Sequence, residues 1–189
     1  MVAIRKATKE QAPEIAQLIM MAMTHECCQH FCGEGHGLED FRHMMTMLVE
    51  REDSQYSYKN TIVALDGDRV AGIAVSYDGS QLHPLRQAFV EMARKWLNKD
   101  HSGMDDETQA GELYLDSLAV LPTHRRQGIA SRLLAAAAER ARELGIPRVG
   151  LLVDKGNPDG ERLYLSAGFR YANDSEWGGH PMKHLVWDF

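Results

Sequence analysis

Apolar residues recur along this chain with two different periods, and the points where one gives way to the other mark out its elements. Val2 to Lys6 reads as a short strand, and Thr8 with Gln11 three residues later is the pairing of a capping box. Ala12, Ile15, Ala16, Ile19, Ala22 and Met23 then repeat at helical spacing, with Pro13 in the first turn. The stretch from Cys27 to Gly37 ends in glycines at 33, 35 and 37, carries no clear period and is expected to be irregular. Helical spacing returns from Leu38 to Glu50 through Phe41, Met44, Met45 and Leu48. At Thr61 the period changes: Thr61–Leu65 and Val70–Val75 flank Asp66-Gly67, a two-residue hairpin signal.

Leu85, Ala88, Phe89, Met92, Ala93 and Trp96 predict another helix over Pro84–Lys99, and the polar, acidic run from Asp100 to Gly111 reads as a loop. Glu112 to Val120 is a long strand stopped by Leu121-Pro122. Ile129 to Leu144 is an alanine-rich helix closed by Gly145. The wholly apolar Val149–Val153 has the character of a buried parallel strand. Asp159–Ala167 reads as a short helix and Gly168 as a turn. Two further strands are expected around Asp174 to Pro181, joined through Trp177-Gly178-Gly179-His180-Pro181. This order predicts a single α/β domain over residues 1–189: a mixed central sheet flanked by helices, with an inserted helix and loop at 82–110.

Composition narrows the function. A chain of 189 residues with 44% hydrophobic and 25% charged residues is neither disordered nor fibrous. A net charge of -6 argues against nucleic acid as a partner, because phosphate contacts need a basic face. The longest apolar run, Ile15 to Met23, is short and carries Gln17, so no membrane span is expected. No apolar segment follows the basic residues near the start, which together with three closely grouped cysteines suggests a cytoplasmic setting. Those cysteines (Cys27, Cys28, Cys32) lie among His25, His30 and His36, but no second ligand pair accompanies them, and no metal is expected. Small buried thiols at a helix end account for them.

The segment with chemical content is Leu118 to Leu134, where a strand runs through Arg125-Arg126-Gln127-Gly128 into a helix that begins near Ile129. Amides of a first helical turn lack intrahelical partners and lie at the positive end of the helix dipole. With two arginines beside a glycine, this is an anion site.

Arg125-x-x-Gly128-x-Ala130 after a Leu-Ala-Val strand resembles the acyl-CoA signature of the GCN5-related N-acetyltransferase (GNAT) superfamily. Downstream, Asn157 opening a helix and Tyr164 four residues ahead of Gly168-Phe169 are similar to that family's second motif. The specific resemblance covers Glu112 to Phe169. It implies a GNAT-like fold with strands splayed around the acyl-CoA site and acetyl-CoA as acyl donor. It also implies that the strand residues Leu118, Ala119 and Val120 meet the pantetheine arm. On the same ground Arg125, Arg126, Gln127, Gly128, Ile129, Ala130 and Ser131 hold the pyrophosphate, Asn157 bonds the arm, and Tyr164 stands near the thioester sulfur as general acid.

The attacking amine must be neutral, and either a carboxylate on the strand leading to the site or a chain of waters can take its proton. Asp116 is the candidate carboxylate. Glu112 lies four residues before it, on the same face of a regular strand, and is a candidate for binding a cationic substrate. By the resemblance the acceptor pocket involves the region from Cys27 to Leu48, which makes His30 and Phe31 candidate substrate contacts. The expected reaction moves an acetyl group from acetyl-CoA to a primary amine of a small molecule. The alternatives are acetylation of a protein lysine or N-terminus, and a non-catalytic acyl-CoA-binding sensor. A homodimer is an expectation from the resemblance alone.

Overall fold

The computed structural model describes residues 2–189; Met1, inside the expected domain range, lies outside the described residues. The elements run β1 (Ala3–Lys6), α1 (Ala12–Met23), α2 (His25–Cys32), α3 (Leu38–Glu50), β2 (Thr61–Asp66), β3 (Arg69–Asp78), α4 (Leu82–Leu97), β4 (Leu113–Val120), α5 (Ile129–Glu143), β5 (Arg148–Asp154), α6 (Pro158–Ala167), β6 (Arg170–Trp177) and β7 (His180–Asp188). The strands form one seven-stranded sheet in the order β1-β2-β3-β4-β5-β7-β6. The expected mixed sheet is therefore present. Among the described pairings β4–β5 is parallel and the others are antiparallel.

Alternation along the strands feeds two cores, one on each side of the sheet. Ile73 and Val75 join Ile15, Ile19, Phe41, Met44, Leu48 and Phe89 from α1, α3 and α4. Ala74, Leu115 and Leu151 point the other way, against Ile129, Leu133 and Leu134 of α5. The helix expected as an insertion is built into the first core, burying Phe89, Ala93 and Leu97 there.

One stretch departs from expectation. Residues 27–32, expected to be irregular, belong to α2, an eight-residue helix that begins at His25. Thr24 adopts φ 73° between α1 and α2, and its hydroxyl accepts from the Cys27 amide at 3.4 Å. Cys28, Phe31 and Cys32 then fall at the i, i+3, i+4 spacing that buries one face. The loop from 98 to 112 lacks regular structure, as its composition suggested, but it is tied down. Arg86 of α4 donates to the carbonyls of Met104 (3.1 Å) and Asp105 (2.7 Å) and pairs with Asp106 and Glu107. Asp105 in turn accepts from the Gly178 amide at 3.0 Å, fastening the β6–β7 hairpin to this loop.

Candidate functional site

β4 and β5 pair only at Leu113–Val149 and Tyr114–Gly150. Beyond that point β4 continues for the six residues Leu115 to Val120, hydrogen-bonded to β3 but with no strand on its other edge. A parallel pair that opens in this way exposes main-chain donors and acceptors to an extended ligand. Leu118 and Val120 lie half-buried on the open stretch, with side chains toward the α5 core, while Ala119 faces the α1–α4 core. The Val120 carbonyl already accepts from Arg125 Nε at 3.2 Å.

The loop at the end of β4 is shaped by two residues in left-handed conformation, Arg126 (φ 62°) and Gly128 (φ 73°). His124 braces it, with Nε2 3.2 Å from Asp66 Oδ2 in the β2–β3 hairpin. The first helical amide to find a main-chain partner is that of Arg132, which donates to Gly128 O at 3.1 Å. Among the described residues, the amides of Arg126 through Ser131 have no protein acceptor. A Cβ built on Gly128 meets nothing within 4 Å, so the space beside this residue is open. A run of N–H groups without protein acceptors at a helix start, flanked by exposed Arg125 and Arg126, fits a pyrophosphate.

On the far side of the opening, Asn157 caps α6, its Oδ1 accepting from the Gly160 amide at 3.0 Å. Tyr164 packs edge-on against Phe169 at 5.8 Å and shares the α5-side core with Leu118, Val120 and Ile129. Its hydroxyl has no partner among the described residues, and burial pushes its pKa up to about 12. A phenol held that high stays protonated and can serve as an acid.

Asp116 is placed by an irregularity. The β3–β4 register runs Val75–Ser117 and then Ser76–Leu115, so Asp116 is the extra residue of a β-bulge. Bulges of this kind re-aim a side chain beside a functional site. Half-buried there, its carboxyl is pushed up to about 8, first by burial and then by the Glu107 carboxylate, with Arg86 and Ser117 opposing. Asp116 also raises the Cys27 thiol, already lifted by burial, to about 11. Burial and then the Asp116 charge likewise raise the phenols of Tyr56, Tyr77 and Tyr114. Glu107 accepts from Tyr77 Oη at 3.1 Å and from Gln55 Nε2 at 3.5 Å, and is paired with Arg86.

Reading the sequence did not single out this surround of Glu107, Arg86, Tyr56 and Tyr77. One signal was available: Arg86 sits on the buried stripe Leu82–Arg86–Phe89–Ala93, where an arginine requires a buried carboxylate.

Two candidate substrate contacts need correction. Phe31 is 4% exposed and wedged among Phe41 (6.2 Å), Phe89 (5.5 Å), His101 (4.9 Å) and Trp177 (6.1 Å), so it is a core residue. Glu112 is 1% exposed, with one oxygen accepting from Thr108 Oγ1 at 2.7 Å and the other 2.8 Å from His184 Nε2. Neither oxygen is free for a substrate. His30 remains on the surface of α2, its carbonyl accepting from Lys99 Nζ at 2.8 Å.

A splayed parallel pair, an amide cradle at one end and a raised carboxyl beside the open edge define the class of acyl-CoA-dependent acetyltransferases. A family model described as the Acetyltransferase (GNAT) family matches residues 23–169. The chain belongs to that family. Acetyltransferase Atu2258 of Agrobacterium fabrum is 43% identical over 75 residues, 38% of this chain and 53% of that protein, so the match spans about half of the relative's length. A crystal structure of an acetyltransferase is 29% identical with a TM-score of 0.80, covering 98% of each chain. An N-acetyltransferase from Staphylococcus aureus Mu50 is 21% identical with a TM-score of 0.81, covering 97% of this chain and 99% of its own. The PaiA N-acetyltransferase from Thermoplasma acidophilum, solved with coenzyme A, shares 15% identity, a TM-score of 0.60 and coverage of 100% and 99%. The latter two likenesses concern the fold alone. No helix among the described residues is long and apolar enough to cross a membrane.

Proposed function

We propose that this protein moves an acetyl group from acetyl-CoA to a primary amine of a small molecule by direct attack on the thioester. The observation that carries the reading is the bulged Asp116, a carboxyl raised to about 8 beside the open edge of β4. In this reading Asp116 takes the proton from the incoming ammonium. The freed amine attacks the thioester carbon, the new C–N bond forms, and the C–S bond breaks. Tyr164 gives its proton to the departing thiolate and is restored by the proton that the acylated nitrogen sheds. A main-chain N–H of the open β4 segment, near Leu118 or Ala119, stabilises the transient oxyanion. The amides of residues 126–131, with Arg125 and Arg126, hold the pyrophosphate, and Asn157 and the β4 edge hold the arm.

A small acceptor is favoured over a protein one by the way the acceptor side is fastened. Asp105 holds Gly178 of the β6–β7 hairpin, and Trp177 packs on Phe31, so the hairpin lies against the helices instead of standing off as one wall of a trough. Acidic and phenolic groups around Asp116 suit a cationic amine. The test is thiol release from acetyl-CoA across a panel of small amines and lysine-bearing peptides, with Tyr164→Phe and Asp116→Asn run alongside. Turnover on peptides alone would move the acceptor to proteins. CoA binding without turnover on any amine would leave a sensor.

A further inference from the structure

Glu112 is excluded from the substrate yet held with unusual completeness. Its carbonyl accepts from the Gly79 amide at 2.9 Å, Oε1 accepts from Thr108 Oγ1 at 2.7 Å, and Oε2 lies 2.8 Å from His184 Nε2. His184 is on β7, so the Glu112 side chain leaves the start of β4, passes over β5 and meets a strand that β4 does not touch. The crossing is made at Gly150: a Cβ there would fall 2.1 Å from Glu112 Oε2 and 2.4 Å from its carboxyl carbon. The contact extends one strand further. His184 Nδ1 lies 3.1 Å from Oδ1 of Asn173, its register partner on β6, while Asn173 Nδ2 donates to the Asp174 carbonyl at 2.9 Å. Both imidazole nitrogens therefore face oxygen acceptors, and a hydrogen-bonded line runs across four strands, from β4 to β6.

Its position gives the line a role. Gly150 pairs with Tyr114, the last β4–β5 pair before the strands part. Everything beyond that pair diverges, so small rotations at this point move the open edge of β4 relative to β5 and α6. A merely structural contact would be less costly elsewhere; burying this one requires a carboxylate and an imidazole to give up water. We infer that Glu112 and His184, passing over Gly150, form a clamp at the apex of the splay that sets its opening and so positions the pantetheine arm of the acyl donor. Both are positioning residues. The inference rests on the donor assignment made above.

The test is calorimetric titration of coenzyme A into the intact protein and its variants. A loss of folded protein lowers the number of sites; a displaced strand lowers the affinity of each. His184→Ala removes one jaw, and Gly150→Ala pushes Glu112 off its path. Each is expected to weaken CoA about tenfold, equivalent to about 1.4 kcal/mol, with stoichiometry near that of the wild type. Because both act through one contact, the double variant should be no weaker than about either single one. Glu112→Gln keeps the shape and a hydrogen bond toward His184 and should fold readily; about a threefold loss is expected. Wild-type affinity at reduced stoichiometry, or fully additive losses, would overturn the clamp. Failure of the wild-type chain to bind CoA would remove the donor assignment, and this inference with it.

Discussion

Replacing Asp116 with asparagine keeps the size of the side chain at the β4 bulge and removes its capacity to take a proton. Loss of a positioned general base lowers kcat/KM by roughly 10²–10⁴-fold, or about 3–5 kcal/mol of barrier. The pH profile carries the sharper signature. A carboxyl raised to about 8 is ionised in only about one molecule in ten at pH 7 and about one in two at pH 8. In the wild type, kcat/KM for a small amine should therefore rise nearly tenfold per pH unit up to about pH 7.5 and level off above about 8.5. An ordinary carboxylate near 3.9 would show no such limb. In Asp116→Asn the limb near 8 should vanish, the residual rate climbing instead toward the pKa of the amine itself. Thiol release at fixed acetyl-CoA between pH 6 and 10 measures both. A limb that persists near 8 in the variant, or a loss below about tenfold at the plateau, would refute Asp116 as the base.

The same residue predicts a stability effect of opposite sign. Its pKa is raised on folding, so the fold favours the protonated form. That stabilisation is complete below about pH 4 and is lost as pH rises toward about 8. An amide has nothing to lose there. Asp116→Asn should thus match the wild type at pH 4 and exceed it at pH 9. The gain is discounted to about 1–2 kcal/mol because the side chain keeps part of its hydration, and corresponds to several degrees in Tm. Thermal unfolding at the two pH values checks it; equal Tm values at pH 9 would mean the carboxyl is not desolvated.

Four other outcomes follow from particular contacts. Glu107→Gln removes the second cause of the raised Asp116 carboxyl and should move the wild-type limb to lower pH, read from the same kcat/KM profile. Tyr164→Phe deletes an unpartnered hydroxyl, so it should lower kcat about 10²-fold while unfolding within about 1 kcal/mol of the wild type. Gly128→Val forces a branched side chain to φ 73° in front of the open amides; a loss of about 1–2 kcal/mol in stability and a marked fall in CoA affinity by calorimetry are expected. Phe31→Ala should destabilise by about 3–5 kcal/mol in urea titration, with the acceptor KM of the folded enzyme little changed.

The proposed donor half of this site is legible in the sequence because it is local. The β4 end, the loop at 125–128 and the first turn of α5 are contiguous, and the free amides follow from helix geometry once the helix start is found. The acceptor half is assembled from afar. Asp116 is aimed by a bulge that exists only in the register between β3 and β4, which strand periodicity cannot reveal. The spacing of Glu112 and Asp116 puts both on one face of a regular strand, whereas β4 is bulged at Asp116. That spacing could not show that Glu112 is consumed by His184, 72 positions away, through a gap left by Gly150. Helix α2 went unread for a different reason: Thr24 at φ 73° breaks the period of α1, and eight residues give little room for a new one to register. What sequence could have offered was a set of misfits. Arg86 on a buried stripe, Gly150 inside a wholly apolar strand and His184 in a buried run are each costly where they stand. Each is explained by a partner on another element: Glu107 for Arg86, and the Glu112–His184 contact for the other two. Residues that violate the local pattern thus point toward the site more directly than residues that obey it, because only a long-range partner makes them affordable.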